Sequence, residues 1–471
     1  MKNGIVKLVD INDYINAGQS CVKSIVESLK NKDGKEVKKI TLDDCFSCAG
    51  CITSSESLLV NDSSLENHYR IIKDHYNSDN NIKLSLISYQ SLESLLILYK
   101  KLKNNNQKEL DYYKDISYII ADIINVDYII PVNDFILYTL NLCYKEFLEL
   151  KKNKEKYGLI CSECPGWICY AEKKIGKISF EYMSKIKSPQ EISGIIIREL
   201  FKNYLKNKID HDKDIYICTI MPCYDKKIEA IKHKKGINTV ISTIELEDSF
   251  KNYLSNKNNS LKNKIIDIYT LKNYLKLAKN IKDAKEQINI DLNNNKINYT
   301  DINISLYNFP FSYNFSSNYY IEYITFMILK QNPQFYIERR NGKNFDSKEI
   351  IIYKNEEKKE IIYAFLISYG LRNIQNIVKM INTKKIKYDY IELMSCPGGC
   401  INGAAQIKTD KTRDDIFNDI NNGFGDLTLK KDFIYESINN ISQTVKELKI
   451  DDNEFIQTFK EVNFSMSDFE W

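Results

Sequence analysis

Cys45-Phe46-Ser47-Cys48-Ala49-Gly50-Cys51 spaces three thiols as C-x2-C-x2-C, the pattern by which one short loop wraps thiolates around three irons of a cubane iron–sulfur cluster. Gly50 lets the backbone curl, and the small side chains of Ser47 and Ala49 let main-chain N–H groups approach cluster sulfur. Position 55, where a ferredoxin run places its fourth cysteine, is Ser55, so the fourth ligand comes from elsewhere. Cys21 is the only other cysteine in this N-terminal module. A four-cysteine zinc site is the alternative, although zinc usually takes two C-x2-C knuckles.

A second set falls in three turns. Cys164 lies in Ser162-Glu163-Cys164-Pro165-Gly166-Trp167, Cys223 in Met221-Pro222-Cys223-Tyr224-Asp225-Lys226-Lys227, and the pair Cys396 and Cys400 in Ser395-Cys396-Pro397-Gly398-Gly399-Cys400. Pro165 suits the first position of a helix, so free N–H groups follow Cys164, and Pro397-Gly398-Gly399 lets Cys396 and Cys400 converge on one object. Together the turns offer four ligands for a second cluster; the alternative is a set of ordinary core thiols. Cys143, Cys161, Cys169 and Cys218 fall inside apolar helical stretches or strands and read as small hydrophobes, Cys161 being the least secure of the four.

The elements that must position these turns are strands followed by helices. Apolar runs at 82–88, 157–161, 215–221, 361–369 and 388–394 each precede a helical pattern or a glycine turn, which predicts repeated βα units and a largely parallel sheet. In such a sheet ligands collect at the carboxyl edge, where all three cysteine turns sit. Ser188-Pro189-Gln190-Glu191 reads as a helix start, with Ser188 as cap. Asn/Lys-rich stretches at 103–107, 255–264 and 293–296 read as solvated insertions.

Composition supports the metal reading. Among 471 residues there are 12 cysteines and only 4 histidines, too few for a histidine-based hydrolase or Cys/His finger to stand out. Lys+Arg at 67 nearly balance Asp+Glu at 63, so neither nucleic acid nor an anionic membrane is an expected partner. No apolar run is long enough to span a bilayer and no signal peptide is visible, so a reducing, cytosolic setting is expected, in which disulfides are not the use of these thiols.

The three turns resemble, in order, the cysteine motifs of iron-only hydrogenases. The blocks 43–57, 167–172, 188–190, 221–230, 369–376 and 394–406 are more closely similar to the iron-only-hydrogenase-like assembly factors of eukaryotic cytosol, also described as the prelamin-A-recognition-factor-like (NARF) family. The resemblance implies an α/β, hydrogenase-like fold of two parallel-sheet lobes with a small N-terminal iron–sulfur module. It implies two [4Fe-4S] clusters, one on Cys21, Cys45, Cys48 and Cys51 and one on Cys164, Cys223, Cys396 and Cys400. It also implies a carrier role without catalysis in cytosolic and nuclear iron–sulfur protein assembly. The partners would be upstream scaffold ATPases, apo iron–sulfur proteins and a targeting complex containing a WD40 propeller.

Two departures weigh against hydrogen chemistry. Glu163 stands where hydrogenases carry a proton-delivering cysteine, and Gly403-Ala404-Ala405 replaces a glycine run that makes room for a di-iron unit, although the corresponding lysine, Lys226, is kept. Glu163 is expected to be a solvated or capping acid near a helix start. The ending Phe469-Glu470-Trp471 resembles a C-terminal targeting peptide, an acidic residue before a terminal aromatic, and is expected to dock on the targeting complex. The expected organisation is a cluster module at 1–80, a first lobe at 81–250, a connector at 251–300, a second lobe at 301–445 and a tail at 446–471.

Overall fold

The computed structural model describes residues 64–76, 81–103, 109–153, 158–207, 214–233, 235–255, 319–342, 344, 346–407 and 431–461. Cys21, Cys45, Cys48, Cys51, Phe469, Glu470 and Trp471 lie outside these residues.

The described chain opens with α1 (Leu65–His75), β1 (Ile82–Ile87), α2 (Tyr89–Lys103), α3 (Glu109–Ile123), β2 (Tyr128–Pro131) and α4 (Asn133–Lys152). Then come β3 (Leu159–Cys161), α5 (Pro165–Tyr170), whose last turn widens into a π-helix at Ala171–Ile175, and the short α6 (Lys177–Phe180). α7 (Pro189–Asn207), β4 (Ile215–Met221), α8 (Asp225–His233), β5 (Thr239–Ser242) and α9 (Glu247–Ser255) complete the first half. The second half holds α10 (Tyr320–Gln331), β6 (Tyr336–Asn341), β7 (Ser347–Tyr353), β8 (Ile361–Tyr369), α11 (Leu371–Asn382), β9 (Tyr390–Met394) and α12 (Lys431–Glu447).

Two sheets result. One runs β2-β1-β4-β5 and is parallel throughout; the other runs β3-β9-β8-β7-β6. In the second, β3, β9 and β8 are parallel while β7 and β6 add antiparallel. Every residue of β4 and β9 is buried, as strands covered on both faces must be, which explains their largely apolar sequences, broken only by Thr219 and Glu392. β3 falls in sequence between strands of the first sheet yet pairs with β9 at Cys161 and Glu392, so the chain crosses between sheets before it returns to β4.

The largest core is continuous between the sheets. Ile215 and Ile217 of the first share it with Tyr390 and Ile391 of the second, and Phe135, Phe147, Ile192 and Ile196 of α4 and α7 fill the space. A second core covers the far face of the first sheet, where Leu95, Ile116, Ile120 and Phe250 meet Tyr216 and Cys218. α1 joins this sheet through His68, fully buried, whose ring nitrogens lie 2.8 Å from Tyr216 Oη and 2.7 Å from the Ile124 carbonyl. Burial holds the imidazole below its ordinary value, so it is neutral here. Among the described residues no helix is long and apolar enough to cross a membrane.

Candidate metal centre

Each cysteine turn is fixed by a contact to another. Ser162, just beyond β3, donates its hydroxyl to the Leu393 carbonyl of β9 and accepts the Cys164 N–H at 3.1 Å, so the first turn is pinned to the strand that leads into the third. Cys164 then caps α5 with Pro165 at its start. Cys223 sits between the last residue of β4 and α8, and the Pro222 carbonyl before it accepts the Ala405 N–H at 3.1 Å. Gly403 makes this approach possible: a Cβ there would stand 2.2 Å from the Pro222 oxygen. Between Cys396 and Cys400 the chain reverses through Gly398 and Gly399, at φ +74° and +81°, a backbone region costly for side chains bearing a Cβ. The Gly398 N–H is held by Asp346 Oδ1 at 2.6 Å.

Cys164, Cys223, Cys396 and Cys400 thereby line one cleft, together with Glu163, Lys226, Met221 and Met394. They come from the carboxyl ends of strands in both sheets, β4 in the first and β3 and β9 in the second. Cys164 is buried, and the other three keep part of their surface in the cleft while being deeply surrounded by protein. Burial pushes the Cys223 thiol well up, with Asp225, Cys396 and Cys164 adding to it. It does the same at Cys400, reinforced there by Glu163 and the other three cysteines. Cys164 is also raised by burial and by Asp225, against the Ser395 hydroxyl and the Ser395 and Trp167 backbone N–H groups that favour its thiolate. Cys164, Cys223 and Cys400 thus resist ionisation, and a multivalent iron core among them and Cys396 is what would remove the protons together. Among the described residues no three His, Cys, Asp or Glu donors converge as a single metal ion needs. A cubane presents four separate iron corners, and four thiols from three turns lining one cleft are the donor set it would need.

A charged network that sequence reading missed supports the cleft. Lys226 is buried, and its ammonium donates to the Glu163 carbonyl at 2.8 Å and to Glu229 Oε1 and Oε2 at 3.2 and 3.1 Å. Burial alone would lower Lys226, but Glu229, Glu163 and Cys223 outweigh it and hold the group above its ordinary value. Gln190, at the start of α7, donates to Glu229 Oε2 at 2.8 Å and accepts from Thr219 at 3.0 Å. The Ser188 hydroxyl accepts the Glu191 N–H at 3.4 Å, the cap expected for this helix. The Lys226–Glu229 pair was legible as an i,i+3 spacing on α8; Gln190 had no signal beyond its place in a helix start. Glu163 requires a correction. It is buried, not a solvated acid, and Cys400 Sγ donates to its Oε1 at 3.5 Å, because the Cys400 turn folds over it from 237 positions away.

Residues 118–404 match the family model for the C-terminal domain of the iron-only hydrogenase large subunit, a span that holds all four cleft cysteines. The chain belongs to this iron-only hydrogenase domain family. Most of its length is also similar to curated assembly factors. It is 29% identical over 455 residues to a probable cytosolic Fe-S cluster assembly factor of Anopheles gambiae, with 87% of this chain and 85% of that protein covered. A cytosolic Fe-S cluster assembly factor of Xenopus tropicalis is 26% identical over 450 residues, covering 87% and 85%. Among solved structures, an apo [FeFe]-hydrogenase from Chlamydomonas reinhardtii superposes with a TM-score of 0.54 at 14% identity, over 84% of this chain and 98% of that one. The hydrogenase-like α/β fold expected from the cysteine turns is therefore the fold of this family member.

Proposed function

We propose that the protein is an iron–sulfur carrier in cytosolic and nuclear iron–sulfur protein assembly, holding two [4Fe-4S] clusters and handing cluster to apoproteins through a targeting complex. One observation carries the reading: four cysteines from three distant turns ring a single cleft at the carboxyl edges of both sheets. The names of the assembly factors to which most of the chain is similar support the role. Cys164, Cys223, Cys396 and Cys400 would hold the resident cluster; when bound, such a cluster supplies a one-electron redox centre. Cys21, Cys45, Cys48 and Cys51 would hold the second, the better candidate for exchange because a short loop can open without unfolding a domain. Phe469, Glu470 and Trp471 would dock the chain on the targeting complex, and scaffold ATPases would supply the cluster.

Anaerobic reconstitution tests this directly. About eight irons and eight sulfides per chain, with a cubane EPR signal after reduction, are expected; bound zinc without sulfide would overturn the reading. The retained Lys226 in the cleft favours a second reading, a hydrogenase, which a hydrogen-evolution assay decides. Against it stand the engagement of the Lys226 ammonium by Glu163 and Glu229 and the full burial of Ala405, whose N–H is spent on Pro222.

A further inference from the structure

Beyond α12 the chain doubles back as a strap. Phe455 is buried against Tyr138 of α4, ring centroids 5.8 Å apart, and Ile456 forms an antiparallel bridge with Ile186. The Lys187 N–H donates to the Phe455 carbonyl at 2.9 Å, and the Gln457 N–H to the Lys185 carbonyl at 2.7 Å. The Gln457 side-chain amide adds bonds to the Ser184 and Ile186 carbonyls at 3.1 and 3.0 Å. Phe459 then lies 5.5 Å from Phe180, ring centre to ring centre, and the Lys460 N–H reaches Glu172 Oε1 at 3.2 Å.

Glu172 is where this strap meets the cleft's supports. It is buried in the π-turn that prolongs α5, the helix capped by Cys164. Its other oxygen pairs with Lys232 on α8, the helix that follows Cys223, and Lys232 Nζ also lies 3.9 Å from Cys169 Sγ on α5. One carboxylate thus ties the helix after Cys164, the helix after Cys223 and the returning strap into a single knot. A π-turn inside a helix is a costly irregularity that recurs at functional sites, and here it directs Glu172 toward both partners. The two cysteines immediately precede these helices, so any loosening of one helix against the other moves a ligand.

We infer that Glu172 is a positioning residue through which the strap at 455–461 sets how fast iron leaves the Cys164, Cys223, Cys396 and Cys400 site. The inference rests on the reading that these cysteines hold a cluster. Supporting contacts of this kind commonly carry a factor of 10–100 in metal retention, roughly. Phe455 belongs to the core between the sheets and Phe459 packs against it, so the thermal midpoint has to be followed beside iron release.

The experiment uses the full chain with Cys45, Cys48 and Cys51 changed to Ala, so that only the strand-end site is loaded. Iron loss to a ferrous chelator is followed after anaerobic reconstitution, alongside the thermal midpoint of the unloaded chain. Glu172→Gln and deletion of residues 451–471 should each speed release by about tenfold, with equal iron content at the start. Combining them should add little more, because both cut the same knot. Lys232→Gln should behave as Glu172→Gln does, and deletion of 462–471 alone should leave the rate at the parent value. Variants that release iron at the parent rate, or whose faster release merely tracks a lowered thermal midpoint, overturn the inference while leaving the cluster reading intact. A parent chain that takes up no iron overturns both.

Discussion

The cysteines of the cleft and those of the core beneath it share one side chain and differ in company. Cys143, Cys161, Cys169 and Cys218 are buried, as are the surroundings of the cleft set, and burial raises thiols in both regions. In the core the neighbours come from outside the cysteine turns: Cys218 is pushed up to about 12 by burial, with the Ser85 hydroxyl pulling the other way, Cys143 faces chiefly Cys161 with Glu146 adding to it, and Cys169 lies 3.9 Å from the Lys232 ammonium. In the cleft Cys164 and Cys223 meet Asp225, Cys400 meets Glu163, and Cys223 and Cys400 each feel thiols from the other turns. Burial therefore does not distinguish a ligand from a packing residue. Convergence from distant parts of the chain is what sets the proposed ligands apart, and Cys161, three positions from Cys164, is buried in the core instead.

The comparison breaks most sharply on iron content. Cys223→Ala should lose about four irons per reconstituted chain, whereas Cys218→Ala, five positions earlier on β4, should lose none; equal losses by iron and sulfide analysis would erase the distinction between the regions. Next in size is the charged support of the cleft. Lys226→Met leaves Glu229 buried without its cation and should cost about 3–5 kcal/mol in denaturant unfolding, much of it regained in the double variant with Glu229→Leu. A single-variant loss below about 1 kcal/mol would mean the pair is worth no more than a surface one. Cys218→Ala itself should cost only about 1–2 kcal/mol, the transfer and cavity terms of one sulfur atom.

The smallest effect lies farthest from the cleft, at His68. Its folded value is held below the ordinary 6.5, so its contribution is complete above pH 6.5 and drains away as pH falls below it and the unfolded chain takes up the proton first. Hydrogen exchange should show α1 opening preferentially under mild acid, and His68→Phe should remove that dependence; an unchanged acid profile in the variant would assign it elsewhere.

Strands whose residues are all buried could be read from the sequence, since a doubly covered strand writes its burial as an unbroken apolar run. β4 at Ile215–Met221, buried throughout, coincides with its predicted segment; β8 at Ile361–Tyr369 does so too, although only part of it is buried. β2 and β5, four residues each, are too short to signal, and β6 carries Tyr336-Ile337-Glu338-Arg339-Arg340-Asn341 on an exposed sheet edge where no such run forms. The cysteine turns were legible because proline and glycine mark them locally. Glu163, Gln190 and Glu172 were not, because what makes each consequential arrives from 29 to 288 positions away.

The crossing of β3 into the second sheet ties the cleft to the order in which the chain is made. Cys164 and Cys223 leave the ribosome early, but the Cys400 turn follows Glu163 by 237 residues. At ordinary rates of synthesis that interval is roughly 10–50 s. Throughout it β3 has no β9 to pair with, and the first two thiols form half of a site that neither sheet can close. Loading of the proposed strand-end cluster would thus be a checkpoint on finished translation: it would follow the arrival of the last turn and could not guide the folding that precedes it.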